Sequence, residues 1–301
     1  MKHRILIIDD EKLQAINLQK AISTERNDIF VDVAFDEETI ATKIRDTYFN
    51  IAIVDLRMDE FATNGFTIIK DILDINPFAK IIVISAYTKE YEHKINEILK
   101  TGKISSILDK EKFDNFKVNV ISEIDKIISQ HESDPLLTKS NLEFLYSEVK
   151  NESDTYTKGY RFEYFVTSLF SQMGFNHINK RLIDKSRNEV DLIIRNEIKD
   201  PFFQKFKPYF LVECKNTLDS VDKNQFIQFR SKIENTNSLS NLGFIVTPKG
   251  FKRTTYIEAV RSSKEEFKIV FLSNSEILEL INADNILETL KRIIDSQVKD
   301  N

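Results

Sequence analysis

The sequence predicts an α/β protein of two domains: a doubly wound parallel sheet first, then a second α/β core. Three observations carry this reading. Short β-branched runs alternate with helix-spaced stretches along residues 1–130. A polar segment at 131–157 breaks the alternation. A long amphipathic stretch and two strand-like runs then follow within residues 158–301. A chain of 301 residues suits two domains of the usual size, about 100–200 residues each.

In the first domain the expected strands are Ile5–Ile8, Ile29–Val33, Ile51–Val54, Ile81–Ile84 and Ile104–Leu108. The expected helices are Lys12–Ser23, Glu37–Thr47, Phe66–Ile75, Lys89–Leu99 and Lys112–Ser129. In the connector, Pro135 should end the preceding helix, because the residue before a proline avoids helical backbone. Leu142, Leu145 and Val149 then define a short amphipathic helix within Ser140–Val149. The second domain opens with Phe162, Val166, Leu169, Phe170 and Met173 on one helical face, closed by Gly174. Strands follow at Val190–Ile194 and Tyr209–Lys215, and a helix at Asp222–Ile233.

The scarce residues exclude whole classes of chemistry. The six glycines, at 65, 102, 159, 174, 243 and 250, are never closer than seven apart. A GxxxxGK phosphate loop and a GxGxxG dinucleotide turn both need closer spacing. One cysteine and four scattered histidines exclude zinc ribbons, zinc fingers and the HExxH helix. The lone Cys214 leaves no disulfide framework, which suits a reducing cytosol. No run approaches the ~18–20 apolar residues of a membrane helix, and Ile5–Ile8 is too short for a signal peptide. A cytoplasmic protein with no membrane partner is expected.

Parallel sheets place their sites at the carboxyl ends of the strands. Asp9 and Asp10 follow the first run, Asp55 the third, Ser85 the fourth and Lys110 the fifth. One strand-end Asp is ordinarily a cap or turn former, but five such residues converge on one edge. Crowded carboxylates repel unless a divalent cation binds them, and hard oxygen ligands suit Mg²⁺, with Mn²⁺ as a substitute. A carboxylate beside Mg²⁺ can attack a phosphoryl group while Lys and Ser take up the charge. This pattern resembles the response-regulator receiver family over nearly all of 1–130. The resemblance implies a five-stranded, flavodoxin-like fold and a cognate histidine kinase. It makes Asp9 and Asp10 Mg²⁺ ligands, Asp55 the phosphoacceptor and metal ligand, and Ser85 and Lys110 the switch pair. Three departures stand out: Glu111 follows the lysine, Ile107 replaces the switch aromatic, and the loop from Asp55 to Gly65 is longer by two residues.

In the second domain, period-two alternation puts Glu213 and Lys215 on one face and Cys214 on the other. A Glu and a Lys at the end of a buried strand need function or mutual pairing. Asp191 on a neighbouring strand and Glu163 on the first helix complete a set fit for metal-dependent phosphodiester hydrolysis. Asp191 and Glu213 would share Mg²⁺, Lys215 would stabilise charge or orient water, and Glu163 would complete the shell.

The arrangement resembles the PD-(D/E)XK nucleases, most closely the Mrr-like restriction-endonuclease branch, over about 158–262. The carrying residues are Phe162-Glu163, Glu189-Val-Asp191-Leu, Val212-Glu213-Cys-Lys215, Gly243-Phe-Ile-Val-Thr247 and Gly250-Phe251. Ser186-Arg187-Asn188 replaces a Gly-rich approach, and Asn196–Pro208 is inserted between the catalytic strands. The family's accessory polar position falls at Gln225, with Gln228 one turn on. Lys249, Lys252 and Arg253, with Lys185 and Arg187, are candidates for tracking phosphates.

The combined expectation is a response regulator with an Mg²⁺-dependent nuclease output on DNA, RNA being left open, working as a homodimer. The alternative is a phosphorylation-switched nucleic-acid- or protein-binding module on a silent nuclease fold. The formal net charge is −5. Residues 1–130 hold 18 Lys+Arg and 23 Asp+Glu, and the remainder holds 25 of each. Any phosphate-tracking surface must therefore be local.

Overall fold

Five parallel strands in the first half take up the runs read from the sequence: β1 (Arg4–Ile8), β2 (Phe30–Ala34), β3 (Ile51–Asp55), β4 (Lys80–Ser85) and β5 (Ile104–Asp109). They are seen in a computed structural model describing residues 3–58, 61, 63–86, 102–110, 113–132, 135–183, 189–262 and 266–299. The sheet order is β2-β1-β3-β4-β5. Helices α1 (Lys12–Glu25), α2 (Glu37–Asp46), α3 (Gly65–Ile75) and α4 (Phe113–Glu132) accompany it. The expected helix Lys89–Leu99 lies outside the described residues. The chain divides into two compact units, Lys2–Leu137 and Thr138–Asn301.

Both faces of the first sheet are covered, which is why its central strands β1, β3 and β4 are almost wholly buried and apolar. Ile5, Ile7, Ile51, Ile53, Ile82 and Ile84 pack with α1 and α4. Leu6, Ile8, Ala52, Val54, Ile81 and Val83 pack with α2 and α3 on the other side. Asp36 and Asn64 cap α2 and α3 by accepting the Thr39 and Thr67 amides. Gly65 opens α3 against the end of β3, where a Cβ would stand 2.1 Å from the Asp55 carbonyl oxygen. No side chain fits there, and so the glycine sets how closely α3 approaches Asp55.

The second unit is built on a mixed sheet of β6 (Ile178–Ile183), β7 (Glu189–Arg195), β8 (Tyr209–Cys214), β9 (Ser240–Val246) and β10 (Lys268–Leu272). Its order is β10-β9-β8-β7-β6. β6, β7 and β8 run antiparallel to their neighbours in turn, while β8, β9 and β10 are parallel. The helices are α5 (Pro135–Asn151), α6 (Thr155–Gln172), α7 (Lys223–Glu234), α8 (Arg253–Arg261), α9 (Asn274–Ile281) and α10 (Ile286–Lys299). β6, β10, α8, α9 and α10 are additions to the elements read from the sequence. β6, Ile-Asn-Lys-Arg-Leu-Ile, is an edge strand with a polar centre that hides its periodicity.

Residues 131–157, expected as a helical linker, hold the end of α4 and all of α5. Pro135 opens α5 at the first helical position, where a missing N–H loses nothing. Leu142, Leu145, Tyr146 and Val149 are buried. The Tyr146 hydroxyl donates to Asn274 at 2.7 Å, and its ring lies 4.9 Å from that of Phe165. The amphipathic helix is therefore core of the second unit.

Phe162, Phe165 and Phe170 of α6 are fully buried, and Phe170 meets Phe244 edge-on at 5.1 Å. Each such side chain contributes about 2–3 kcal/mol by leaving water. On the opposite face α7 packs Phe226, Phe229 and Ile233 against Leu211 and Ile245. Gly243 lets it in: a Cβ there would lie 2.5 Å from Ile233 and 2.8 Å from Phe229.

Candidate functional sites

The first candidate site gathers at the carboxyl ends of β1, β3 and β5. Asp9 and Asp55 are buried, 2% and 5% exposed, and Ser85 is fully buried. Lys110 bridges the two carboxylates, at 2.8 Å from Asp9 Oδ2 and 2.6 Å from Asp55 Oδ2. Its own backbone amide donates to the Ser85 carbonyl at 2.9 Å, which fixes β5 beside β4. The remaining oxygens accept backbone amides, Asp9 Oδ1 from Glu11 and Asp55 Oδ1 from Arg57. Oxygens of Asp9, Asp10 and Asp55 lie within 4.8 Å of one another. They line an open cleft of about 560 Å³ with Glu11, Arg57 and Lys110.

Burial pushes the Asp55 carboxyl up to about 6, against the pull of Lys110 and with a further push from Asp9. Asp9 is raised too, by burial first, with Lys110 opposing. Burial works against the Lys110 charge, but Asp55 and Asp9 outweigh it and raise the ammonium. Three carboxylates facing one lysine leave excess negative charge in a buried place. This donor set fits a divalent cation with oxygen preference.

The second candidate site lies where β7 and β8 run side by side. Leu192 pairs with Val212 and Ile193 with Leu211, so Asp191 and Glu213 come next along the two strands. Asp191 Oδ2 accepts the Cys214 amide at 2.6 Å. Glu213 is 5% exposed. Its Oε1 takes Lys215 Nζ at 2.7 Å and its Oε2 takes Lys232 Nζ at 2.8 Å. Burial, then the neighbouring Glu213 charge, pushes Asp191 up to about 7, with Glu163 adding to the push and Lys215 opposing. Glu163 of α6 is thus electrostatically part of the site. Lys215 is raised: burial opposes its charge, but Glu213 and then Asp191 prevail. Cys214 points to the other face, and burial raises its thiol well above the ordinary range.

A family model described as a response regulator receiver domain matches residues 5–134, and one described as a restriction endonuclease, the Mrr catalytic type, matches 156–287. The chain therefore joins a receiver domain to a restriction-endonuclease-like domain. Solved structures similar to it include response regulator DrrB from Thermotoga maritima. That match has 13% identity and a TM-score of 0.36, and covers 44% of this chain and 54% of that one. A CheY-like receiver domain protein from Methanospirillum hungatei shows 19% identity and a TM-score of 0.38, covering 44% of this chain and 98% of that one. The receiver domain of AraT from Geobacillus stearothermophilus shows 22% identity and a TM-score of 0.37, covering 44% and 99%. No curated protein matches the chain. Among the described residues no helix is long and apolar enough to cross a membrane.

The receiver domain thus brings Asp9, Asp10, Asp55 and Lys110 into one cleft, with Ser85 at the adjoining strand end. The restriction-endonuclease-like domain brings Asp191, Glu213 and Lys215 together, with Glu163 nearby. Gln225 is placed otherwise. Its carboxamide oxygen accepts the Asp222 amide at 2.9 Å while Asp222 accepts the Gln225 amide, a reciprocal cap that starts α7. Gln228 is exposed. Lys249, Lys252 and Arg253 are exposed on the segment after β9. That segment leaves the carboxyl end of the sheet, where the Lys215 amide donates to the Val246 carbonyl at 2.8 Å. Lys185 and Arg187 lie outside the described residues.

Sequence reasoning missed Lys232. It stands well past Lys215 in a chain that is 30% charged. The available signal was its place beside Ile233 on the flank of the Phe226, Phe229, Ile233 stripe, where a long side chain reaches the sheet.

Proposed function

We propose that the chain is a phosphorylation-controlled regulator whose output domain hydrolyses phosphodiester bonds of DNA with the help of a divalent metal, Mg²⁺ in both domains. Asp55 accepts a phosphoryl group from a histidine kinase: a carboxylate oxygen bonds phosphorus as the phosphorus–nitrogen bond of the phosphohistidine breaks. Lys110, already on both Asp55 and Asp9, offsets part of the added charge of roughly −1.5 to −2. Asp9, Asp10 and Asp55 would hold the cation in this domain; Asp191 and Glu213 would hold it in the other, with Glu163 completing the shell. When bound, such a cation supplies Lewis acidity toward a phosphoryl oxygen and lowers the pKa of water. Lys215 stabilises charge developing on the phosphate, and Lys249, Lys252 and Arg253 track the flanking backbone.

The observation that carries this reading is Asp191 bonded to the amide of Cys214, the residue after Glu213, with Lys215 on Glu213 at 2.7 Å. Buried neighbouring carboxylates that push one of their number to about 7 are costly without a cation to use them. Cutting both strands needs two active sites, so phosphorylation-dependent homodimerisation is the natural gate.

A second reading, a binding module on a silent nuclease fold, has its own support. Both Glu213 oxygens are on lysines. Among the described residues, only Asp9, Asp10 and Asp55 form a cluster of three metal-ligating side chains. A plasmid nicking assay with Mg²⁺ separates the two. On the nuclease reading the wild type nicks and Lys215→Ala is slower by roughly 10²–10³. Identical products from both proteins leave only the binding module.

A further inference from the structure

Glu213 holds two ammonium groups. Lys215 comes from its own strand end, but Lys232 comes from α7, and its approach is built into the core. Phe229 and Ile233, on either side of Lys232 along the helix, sit on Gly243 so closely that even a methyl group would displace them. Gly243 pairs with Leu211, two residues before Glu213 and on the same face. The glycine thus lowers α7 onto the sheet where the Lys232 side chain, 18% exposed, spans to Glu213 Oε2 at 2.8 Å. A lysine held by core packing beside a 5% exposed glutamate is poorly placed to swing away into water.

The ammonium occupies lone pairs that a divalent cation would use, and it carries the same sign of charge. Two like charges a few ångströms apart in a half-buried place repel strongly. We propose that Lys232 is a positioning residue that competes with the divalent cation for Glu213 and so sets the metal affinity of the restriction-endonuclease-like site. The inference rests on Asp191 and Glu213 being the metal ligands there.

The test measures Mn²⁺ binding by electron paramagnetic resonance on the full chain carrying Asp9→Asn and Asp10→Asn, which removes the receiver's ion. In that background Lys232→Met, which keeps the apolar stem and removes the charge, should bind Mn²⁺ roughly three- to tenfold more tightly. Lys232→Arg, which keeps the charge, should stay within about twofold of its parent. A purely structural lysine predicts the opposite sign, because loosening Glu213 weakens binding. Unchanged or weaker binding by Lys232→Met overturns the inference. Where that variant fails to fold, Lys232→Gln carries the same expectation. Adding Asp191→Asn tests the underlying reading separately: binding that persists undiminished means that the metal is held elsewhere, and both the reading and the inference fall.

Discussion

The two domains solve the same electrostatic problem with opposite charge arrangements. In the receiver domain one ammonium, Lys110, spans two carboxylates, with Asp10 as a third nearby. In the restriction-endonuclease-like domain two ammoniums share one carboxylate, Glu213, while Asp191 rests on a backbone amide. The first arrangement leaves unbalanced negative charge at the cleft and attracts a cation. The second sets two lysines against Asp191, Glu213 and Glu163, and both lysines sit on Glu213, so a cation must compete for that carboxylate. The difference teaches that a matching set of residue types does not by itself make two sites equally ready for metal; the ratio of lysines to carboxylates decides.

Breaking the receiver side gives the largest effect. Asp55→Asn should reduce phosphoryl incorporation from a small-molecule phosphodonor to background, read on a phosphate-affinity gel. Residual labelling near the wild-type level would place the phosphoacceptor elsewhere.

Stability against pH sharpens the comparison next. A carboxyl with a folded-state pKa above its unfolded value binds its proton on folding. Stability then falls as pH rises from about 4 to the folded value, and stays low above it. For Asp191 that window runs from about 4 to about 7. Asp191→Asn should therefore be more stable than wild type at pH 8 by about 2 kcal/mol, the gain vanishing below about pH 4. For Asp55 the window ends at about 6, so Asp55→Asn should gain less, about 1 kcal/mol, by the same denaturant titrations. A loss of stability in either variant at pH 8 would mean that its carboxylate is favourably paired rather than strained.

The smallest effect concerns Gln225. Its place in the cap of α7 predicts that Gln225→Ala loses about 1 kcal/mol of stability while the nicking rate stays within about twofold. A large fall in rate with unchanged stability would return Gln225 to the phosphodiester chemistry.

Most of the receiver site was legible because a parallel sheet fixes where strand ends go. Once Ile5–Ile8 and Ile51–Val54 read as strands, Asp9 and Asp55 had to share an edge. Asp191 and Glu213 were legible for a similar reason, since alternation along Tyr209–Lys215 assigns faces. Lys232 was not, because its contact depends on how low α7 sits, and Gly243 controls that from a strand 11 residues away. The capping role of Gln225 was not legible, because a polar residue on the first turn of a helix serves a cap as readily as a site. The linker helix was legible as a helix, but its burial was not: Leu142, Leu145 and Val149 show a stripe without showing what covers it.

The central claim, that the receiver controls cutting by the other domain, is tested most directly by one measurement. The plasmid nicking rate of the full chain with Mg²⁺ is compared with and without beryllofluoride, in wild type and in Asp55→Asn. The account predicts a several-fold change in wild type and none in the variant. Equal rates in wild type with and without beryllofluoride, or the same response in Asp55→Asn, would contradict it.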